Sequence, residues 1–535
     1  VRQPAVCLSD ALTTTHPTTE FLSIGSCELK NVKGYDCGTM MKVKWRRLTE
    51  CKRNKYHLTW RTNYLRPMCS YRTCGHNILS ALRDRHRPYV DGGLMHAMFP
   101  DDDMAEVCRA ASLDTTKYLA LFDRLEPAWR YLRSKCEWLG DLDEYVCNVL
   151  QLVGKSQKWS LQQVLESKPP NKFKRYERAK EWLRCHTISE KHRKVKVHVK
   201  NERMASDVYK PPRLIQARSP EFTMLLQQYL KPMEEFMRDD LDKCVNKGMN
   251  LDQTYDLLQS ICGPDLYYLL MDHDAFDASV NIFLLLVEHL IYLESYNHDY
   301  TLADLLRSQI YNRCVSIDGT VKWWVVATRM SGDGNTAHGN SVVNLFWLQM
   351  LFGSLQHRDV VCGDDSVVAA RCVDKITIDG RLNSLQGLLF NTKGKSCTSF
   401  EDIEFCQCLP NIYVRSMVKD ALRTVSRSAI CINPRVKDVN DLIYWKAAFA
   451  RSNRHLAVVG MNKYMSQFEG IDEWDEWSYS DRVTNISSRI TRSDYTHQGY
   501  TGDIIQHMNE IIIPSVLDDM LTVTIDYTER FKSMV

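Results

Sequence analysis

The chain has 535 residues, 44% apolar and 25% charged, with 16 Pro and 23 Gly. This is ordinary globular usage, and it excludes disordered, collagen-like and low-complexity scaffolds. At about 100–200 residues per domain the length predicts three or so substructures that bury cores without disulfide staples. The net charge of +3 conceals an asymmetry: residues 168–218 hold 16 Lys/Arg against 5 Asp/Glu, a net of +11, so the remainder sums to −8.

The nineteen cysteines are scattered along a long chain instead of paired in a short one, the pattern of a reducing, cytosolic compartment. A bilayer span needs about 18–20 consecutive apolar residues. The best run, Ile282 to Val287, is cut off by Glu288 and His289, so no transmembrane segment is expected. The start, Val1-Arg2-Gln3-Pro4, has neither Met nor a signal peptide, which suggests a processed or truncated piece of a longer protein.

In chain order the first feature is a basic cluster, Lys42, Lys44, Arg46, Arg47, Lys52, Arg53 and Lys55, offset by Glu50 alone. Such blocks are either solvated faces or phosphate tracks. Cys69, Cys74 and His76 form half of a zinc ligand set with no second pair to complete it. Residues 115–185 carry helical spacing rich in Leu, Trp and Tyr. The period then changes to two: in Lys194-Val195-Lys196-Val197-His198-Val199-Lys200 the valines share one face and the basic or imidazole side chains the other, predicting a half-buried strand with a basic row. Pro211-Pro212 and Ser219-Pro220 break the chain, and Leu266 to Met271 reads as an apolar strand ending in Asp272. A helix is predicted over about 279–296, a mixed region to Trp324, with Trp323-Trp324 read as core, and a second helix over about 336–351. Strands alternating with helices, with carboxylates at strand ends, indicate an α/β or split βαβ core.

Val360-Val361-Cys362-Gly363-Asp364-Asp365-Ser366-Val367-Val368 reads as a tight hairpin with two acids in its turn. Adjacent carboxylates raise each other's pKa unless a cation sits between them. Hard oxygen donors suit Mg²⁺, and two such ions about 3.5–4 Å apart serve nucleotidyl transfer. Alone, Gly-Asp-Asp is also an ordinary Asp-rich turn. Ser331-Gly332-Asp333-Gly334-Asn335 is a Gly-rich loop running into the second helix, where Thr336 is placed to cap and Asn340 lies one turn on.

Taken in order, Asp272-x4-Asp277, Ser331-Gly332-x3-Thr336-x3-Asn340 and Gly363-Asp364-Asp365 resemble motifs A, B and C of viral RNA-dependent RNA polymerases of positive-strand RNA viruses. Lys210-Pro211-Pro212-Arg213-Leu214-Ile215-Gln216-Ala217-Arg218 resembles motif F of their tombusvirus-like members, within the flavivirus-like supergroup, and Glu404-Phe405-Cys406-Gln407 resembles motif E. The resemblance runs from about residue 194 to 415.

It implies a right-hand α/β (α+β) fold with a split βαβ palm: N-terminal region and fingers over 1–225, palm over 226–297, a fingers insertion over 298–328, palm again over 329–415, and thumb over 416–535. It implies that Asp272, Asp364 and Asp365 hold Mg²⁺, with Mn²⁺ as an alternative. Asp277 and Asn340 are implied to sense the nucleotide 2′-hydroxyl, Lys210 and Arg213 to meet the triphosphate, and Ser331 and Thr336 to lie by the nucleotide. The general acid is implied to be a lysine, Lys393 or Lys395. Lys194, Lys196, Lys200 and Arg218 are the candidate RNA contacts. RNA template and product and nucleoside triphosphates are the implied partners, with viral replication proteins supplying membrane attachment in the host cytoplasm.

The competing readings are a reverse transcriptase, a non-catalytic RNA-binding replication subunit and a metal-dependent nuclease. The first lacks a use for a 2′-hydroxyl sensor, and the last for Ser331, Asn340 and Asp277 together. The resemblance implies initiation without a primer, the general habit of such polymerases. A polar loop over 490–503, bearing Tyr495, His497 and Tyr500 around Gly499 and Gly502, is the candidate initiation element, and Trp474 and Trp477 are a rival stacking platform among acids.

Overall fold

The helical spacing of 115–185 becomes a run of short helices. Two of them, Leu125–Lys135 and Leu142–Val153, bury Leu125, Ala128, Trp129 and Leu132, and Leu142, Tyr145, Val146, Val149 and Val153, at one-face spacing. Gly154, at φ +73°, takes the left-handed conformation that stops the second. The computed structural model describes the strands Phe21–Ile24, Met41–Trp45 and Leu65–Pro67 and residues 91–419, apart from 201–202, 206–212, 240–243, 318, 320 and 413–414. Lys210, the Cys69/Cys74/His76 set and the whole of 420–535, with the candidate initiation loop and Trp474 and Trp477, lie outside the described residues.

The two apolar helices predicted around Asp272 and Asn340 are Ile282–Ser295 and Thr336–Phe352, and both are buried on nearly every side. Trp129 stacks on Phe283 with 6.4 Å between ring centroids and packs on Phe346 at 6.1 Å, so the N-terminal helices close over this pair. Burying rings of this size contributes a large share of the apolar driving force. Among the described residues no helix is long and apolar enough to cross a membrane.

Among the described residues the two larger of four sheets accompany these helices in a mixed helix-and-sheet fold. The first has four antiparallel strands in the order His357–Cys362, Asp365–Arg371, Leu266–His273, Thr392–Cys397. The second has six, ordered Phe21–Ile24, Met41–Trp45, Val321–Val326, Tyr311–Ser316, Val195–Val199, Leu214–Ala217, with one parallel pairing, Val195 against Cys314. The period-two reading of Val195–Val199 holds: all three valines are buried with Trp323 and Val325, while Lys194 and Lys196 are exposed. In register, Lys44, Lys322, Val315 and Lys196 form one row across four strands.

Candidate active site

The Val-rich arms pair as expected, and the turn is sharper than its sequence suggested. Cys362 pairs with Asp365, so only Gly363 and Asp364 form the loop, and Asp365 is the first residue of the next strand. Gly363 sits at φ +66°, a conformation an L side chain rarely adopts, which accounts for glycine before the two acids. The helix Thr336–Phe352 holds this turn: Gly363 N donates to Ser341 Oγ at 3.0 Å, and Asn344 Nδ2 donates to the carbonyls of Gly363 at 3.1 Å and Asp364 at 3.3 Å. Neither Ser341 nor Asn344 was expected in the site. Their only sequence signal is their place on the same helix, one and four residues beyond Asn340.

Asp272 arrives from the neighbouring strand. Ser366 pairs with Met271, and one further step of that register sets Asp365 against Asp272. The three aspartates therefore lie at one sheet end. Burial and the nearby charge of Asp364 push the Asp365 carboxyl up to about 6, with Asp272 and Glu404 adding to the effect. Burial, then Asp272, likewise raises Asp364, while Arg213 opposes the rise. The turn of Glu404–Gln407 stands near the site: Glu404 adds to the upward shift of Asp365, Phe405 and Cys408 exchange backbone hydrogen bonds at 2.9 Å, and Cys406 and Gln407 both have positive φ.

Asp277 lies in a short helix, Phe276–Ser279, entered through a left-handed Ala275 at φ 50°. Asn340 Nδ2 donates to Asp277 Oδ1 at 2.8 Å, bringing together two residues 63 apart in sequence. Burial pushes the Asp277 carboxyl above its ordinary range, against the pull of Asn340 and Arg329. Next to Asp272 in the chain, His273 is buried among Phe276, Trp347 and Phe390, and burial lowers its pKa to about 4, so the imidazole is neutral.

The Gly-rich loop is tied to the strand Leu214–Ala217. Ser331 Oγ donates to Leu214 O at 2.6 Å and Gly332 N to Gln216 O at 2.9 Å. A Cβ on Gly332 would lie 2.8 Å from Ile215 Cγ2 and 3.0 Å from Gln216 O, so the approach requires glycine. Thr336 does not cap the helix. Asn335 occupies the N-cap in a helical conformation without a side-chain cap, and the Thr336 hydroxyl donates back to Met330 O at 2.8 Å and Asp333 O at 3.0 Å.

Lys393 pairs directly across from Asp272, and its ammonium donates to Asp274 Oδ1 at 2.8 Å, which raises its pKa. Lys395 pairs instead with Leu270, two residues further from the carboxylates. Arg218 corrects an expectation. The basic segment suggests an RNA contact, yet Arg218 is 3% exposed, forms an ion pair with Asp333, and donates to Ser308 O at 2.7 Å and Asn312 Oδ1 at 2.5 Å. Its guanidinium is enclosed by protein and ties the Gly-rich loop to the six-stranded sheet. Lys200 continues the basic strand, its N–H donating to Arg213 O at 2.8 Å. Lys194 lines a groove of about 700 Å³ with Arg109, Arg313, Lys322, Tyr311 and Trp324. Of the tryptophan pair, Trp323 is core as expected and Trp324 lines this groove.

Three aspartates at one sheet end, beside an amide–carboxylate pair and under the charge of Arg213, make a site class suited to divalent cations and polyphosphates. The chain belongs to the viral RNA-dependent RNA polymerase family, which matches residues 123–501, well over half its length. It is 33% identical over 306 residues to the RNA-directed RNA polymerase of Oat chlorotic stunt virus, covering 54% of this chain and 39% of that one. Over 254 residues it is 31% identical to that of Tobacco necrosis virus, covering 44% of this chain and 34% of the relative. Over 348 residues it is 27% identical to that of Cucumber necrosis virus, covering 61% and 42%. The chain thus spans about two fifths of the length of these curated relatives or less.

Proposed function

We propose that this chain performs template-directed synthesis of RNA from an RNA template by two-metal nucleotidyl transfer, replicating a positive-strand viral genome. The observation that carries the reading is the Asn340–Asp277 hydrogen bond, set at the same sheet end as Asp272, Asp364 and Asp365. The four-stranded sheet then serves as the palm, of split βαβ type, and the six-stranded sheet as part of the fingers. The boundaries are fingers to 225, palm over 226–297 and 329–415, a fingers insertion over 298–328, and thumb from 416.

The donor set fits Mg²⁺, with Mn²⁺ an alternative. Carboxylate oxygens are hard donors, and burial, with the neighbouring carboxylates adding to it, pushes Asp364 and Asp365 upward, a cost that a bound cation relieves. Among the described residues no three His, Cys, Asp or Glu side chains form a ready-made metal cluster. That accords with ions held by one or two carboxylates and completed by water and nucleotide phosphates. Bound at Asp272, Asp364 and Asp365, they would acidify the attacking 3′-hydroxyl and stabilise the departing pyrophosphate.

The chain's own residues supply placement. Arg213, with a planar fork suited to bidentate phosphate contact, and Lys210 meet the triphosphate. Asp277 and Asn340 hold the 2′-hydroxyl, and Ser331 and Thr336 shape the loop beside the nucleotide. Lys393 is the general acid for pyrophosphate, since it faces Asp272 across the register and Lys395 does not. Lys194, Lys196 and Lys200 guide RNA along the basic strand. Initiation is primer-independent, and viral replication proteins attach the chain to membranes in the host cytoplasm. Synthesis on a short RNA, with and without a primer and with each of the four nucleotides omitted in turn, tests the reading. Incorporation that ignores the template sequence would refute it.

Three measurable consequences belong to these contacts. Asp277→Ala or Asn340→Ala should narrow the preference for ribonucleotides over deoxyribonucleotides, because the 2′-hydroxyl loses a hydrogen bond of about 1–1.5 kcal/mol that only ribose makes. Incorporation efficiencies for ATP and 2′-deoxy-ATP check this, and an unchanged ratio in both variants removes the role. Lys194→Glu or Lys196→Glu should weaken RNA binding and flatten its dependence on salt by about one charge's worth of counterion release. Arg213→Ala should chiefly raise the nucleotide KM. Binding isotherms from low to high KCl, alongside nucleotide titrations, separate the two kinds of contact.

A further inference from the structure

Behind the Asp277–Asn340 pair lies a buried polar chain that the reaction as described does not use. Arg329 Nε donates to Asn340 Oδ1 at 2.9 Å, and the Arg329 backbone N–H donates to Asp277 O at 2.7 Å. The rest of the guanidinium forms an ion pair with Glu288, which stands in the middle of the apolar helix Ile282–Ser295. Glu288 Oε1 also accepts from Asn335 Nδ2 at 2.6 Å, and Tyr292 OH donates to Asn335 Oδ1 at 3.0 Å. Arg329 and Glu288 are 3% and 1% exposed. A Cβ on Gly339 would overlap Glu288 Oε1 and lie 2.7 Å from Arg329 Nη2, so the helix leaves room for this pair only with glycine there.

An arginine side chain has donors and no acceptor. A donor from Arg329 therefore forces the Asn340 carbonyl oxygen toward it and the Asn340 amide nitrogen toward Asp277, as found. A flipped amide would set donor against donor at Arg329 and acceptor against acceptor at Asp277. The forced orientation presents the second Asn340 N–H beside the Asp277 carboxylate, a donor next to an acceptor, which is what a hydroxyl that both donates and accepts requires.

We propose that Arg329, anchored by Glu288, is the positioning residue that sets sugar specificity, by locking the orientation of Asn340. The proposal rests on the reading that Asp277 and Asn340 sense the 2′-hydroxyl. A buried ion pair is weak support for stability and is often replaceable by apolar residues of similar volume. Its placement against the sugar-sensing pair gives it a role in specificity.

The test is single-nucleotide addition by the full chain with ATP, 2′-deoxy-ATP and 3′-deoxy-ATP. Arg329→Lys keeps the charge and loses the Nε–H that addresses Asn340. It should lower the ATP to 2′-deoxy-ATP ratio of kcat/KM about five- to tenfold and leave the ATP to 3′-deoxy-ATP ratio unchanged. The double replacement Arg329→Met with Glu288→Leu removes both buried charges together, serves as the second variant should Arg329→Lys fail to fold, and should lower the same ratio. In an Asn340→Ala background neither change should lower it further. Equal loss with ATP and 2′-deoxy-ATP would overturn the proposal and leave the pair with a packing role only. If Asn340→Ala and Asp277→Ala narrow the ratio while both Arg329 variants leave it at the wild-type value, the positioning role fails and the sugar-sensing reading stands. If none of the four narrows it, the sugar-sensing reading fails first.

Discussion

Asp364→Ala is expected to reduce nucleotide addition by about a thousandfold or more, equivalent to about 4 kcal/mol of transition-state stabilisation, while RNA affinity stays near wild type. The carboxylate stands at the tip of a two-residue turn held by Ser341 and Asn344 through backbone groups alone, so removing its side chain leaves those hydrogen bonds in place. It also relieves the repulsion that raises Asp365, so folding should not suffer. Single-turnover primer extension measures the loss, and a binding titration on the same RNA measures what is retained. More than about a tenth of wild-type elongation, a loss under about 1.4 kcal/mol, would refute the metal-ligand role.

Arg218→Ala should act on the fold instead of the RNA. Arg218 and Asp333 form a fully enclosed pair, their side chains 0% and 4% exposed. Removing the cation strands a buried carboxylate together with the acceptors Ser308 O and Asn312 Oδ1. Breaking such a pair from one side costs about 3–5 kcal/mol, a large part of the stability of most domains. The urea midpoint should fall with little change in slope, and Arg218→Met combined with Asp333→Leu should recover much of the loss. The salt dependence of RNA binding by the refolded double variant should match wild type. A flattened dependence would return Arg218 to the RNA track.

Arg218 and Lys196 show why charge in a sequence is ambiguous. Both lie in the same basic segment. Lys196 alternates with valines, and its exposure follows from the two-residue period of a strand. Arg218 stands at the end of a strand, where no period applies, and the carboxylate that captures it is 115 residues away. Thr336 failed as a cap for a similar reason. Its preference for the N-cap is a local statistic, and the loop's own carbonyls settled the matter.

The sequence by itself determined the elements and the chemistry they carry. The strand ending at Asp272, the hairpin of Gly363 and the helix bearing Asn340 were legible because hydrophobic period and turn composition are local properties. The acid, glycine and amide spacings were legible for the same reason. What only the tertiary structure decided is how those residues are held. The facing of Lys393 and Asp272 comes from strand register. The grip of Ser341 and Asn344 on the acidic turn comes from helix–hairpin packing. Glu288 read as a break in an apolar run, yet it is the buried partner of Arg329, 41 residues on. A charge survives in such a core only when a partner from another element meets it there, and no local pattern names that partner.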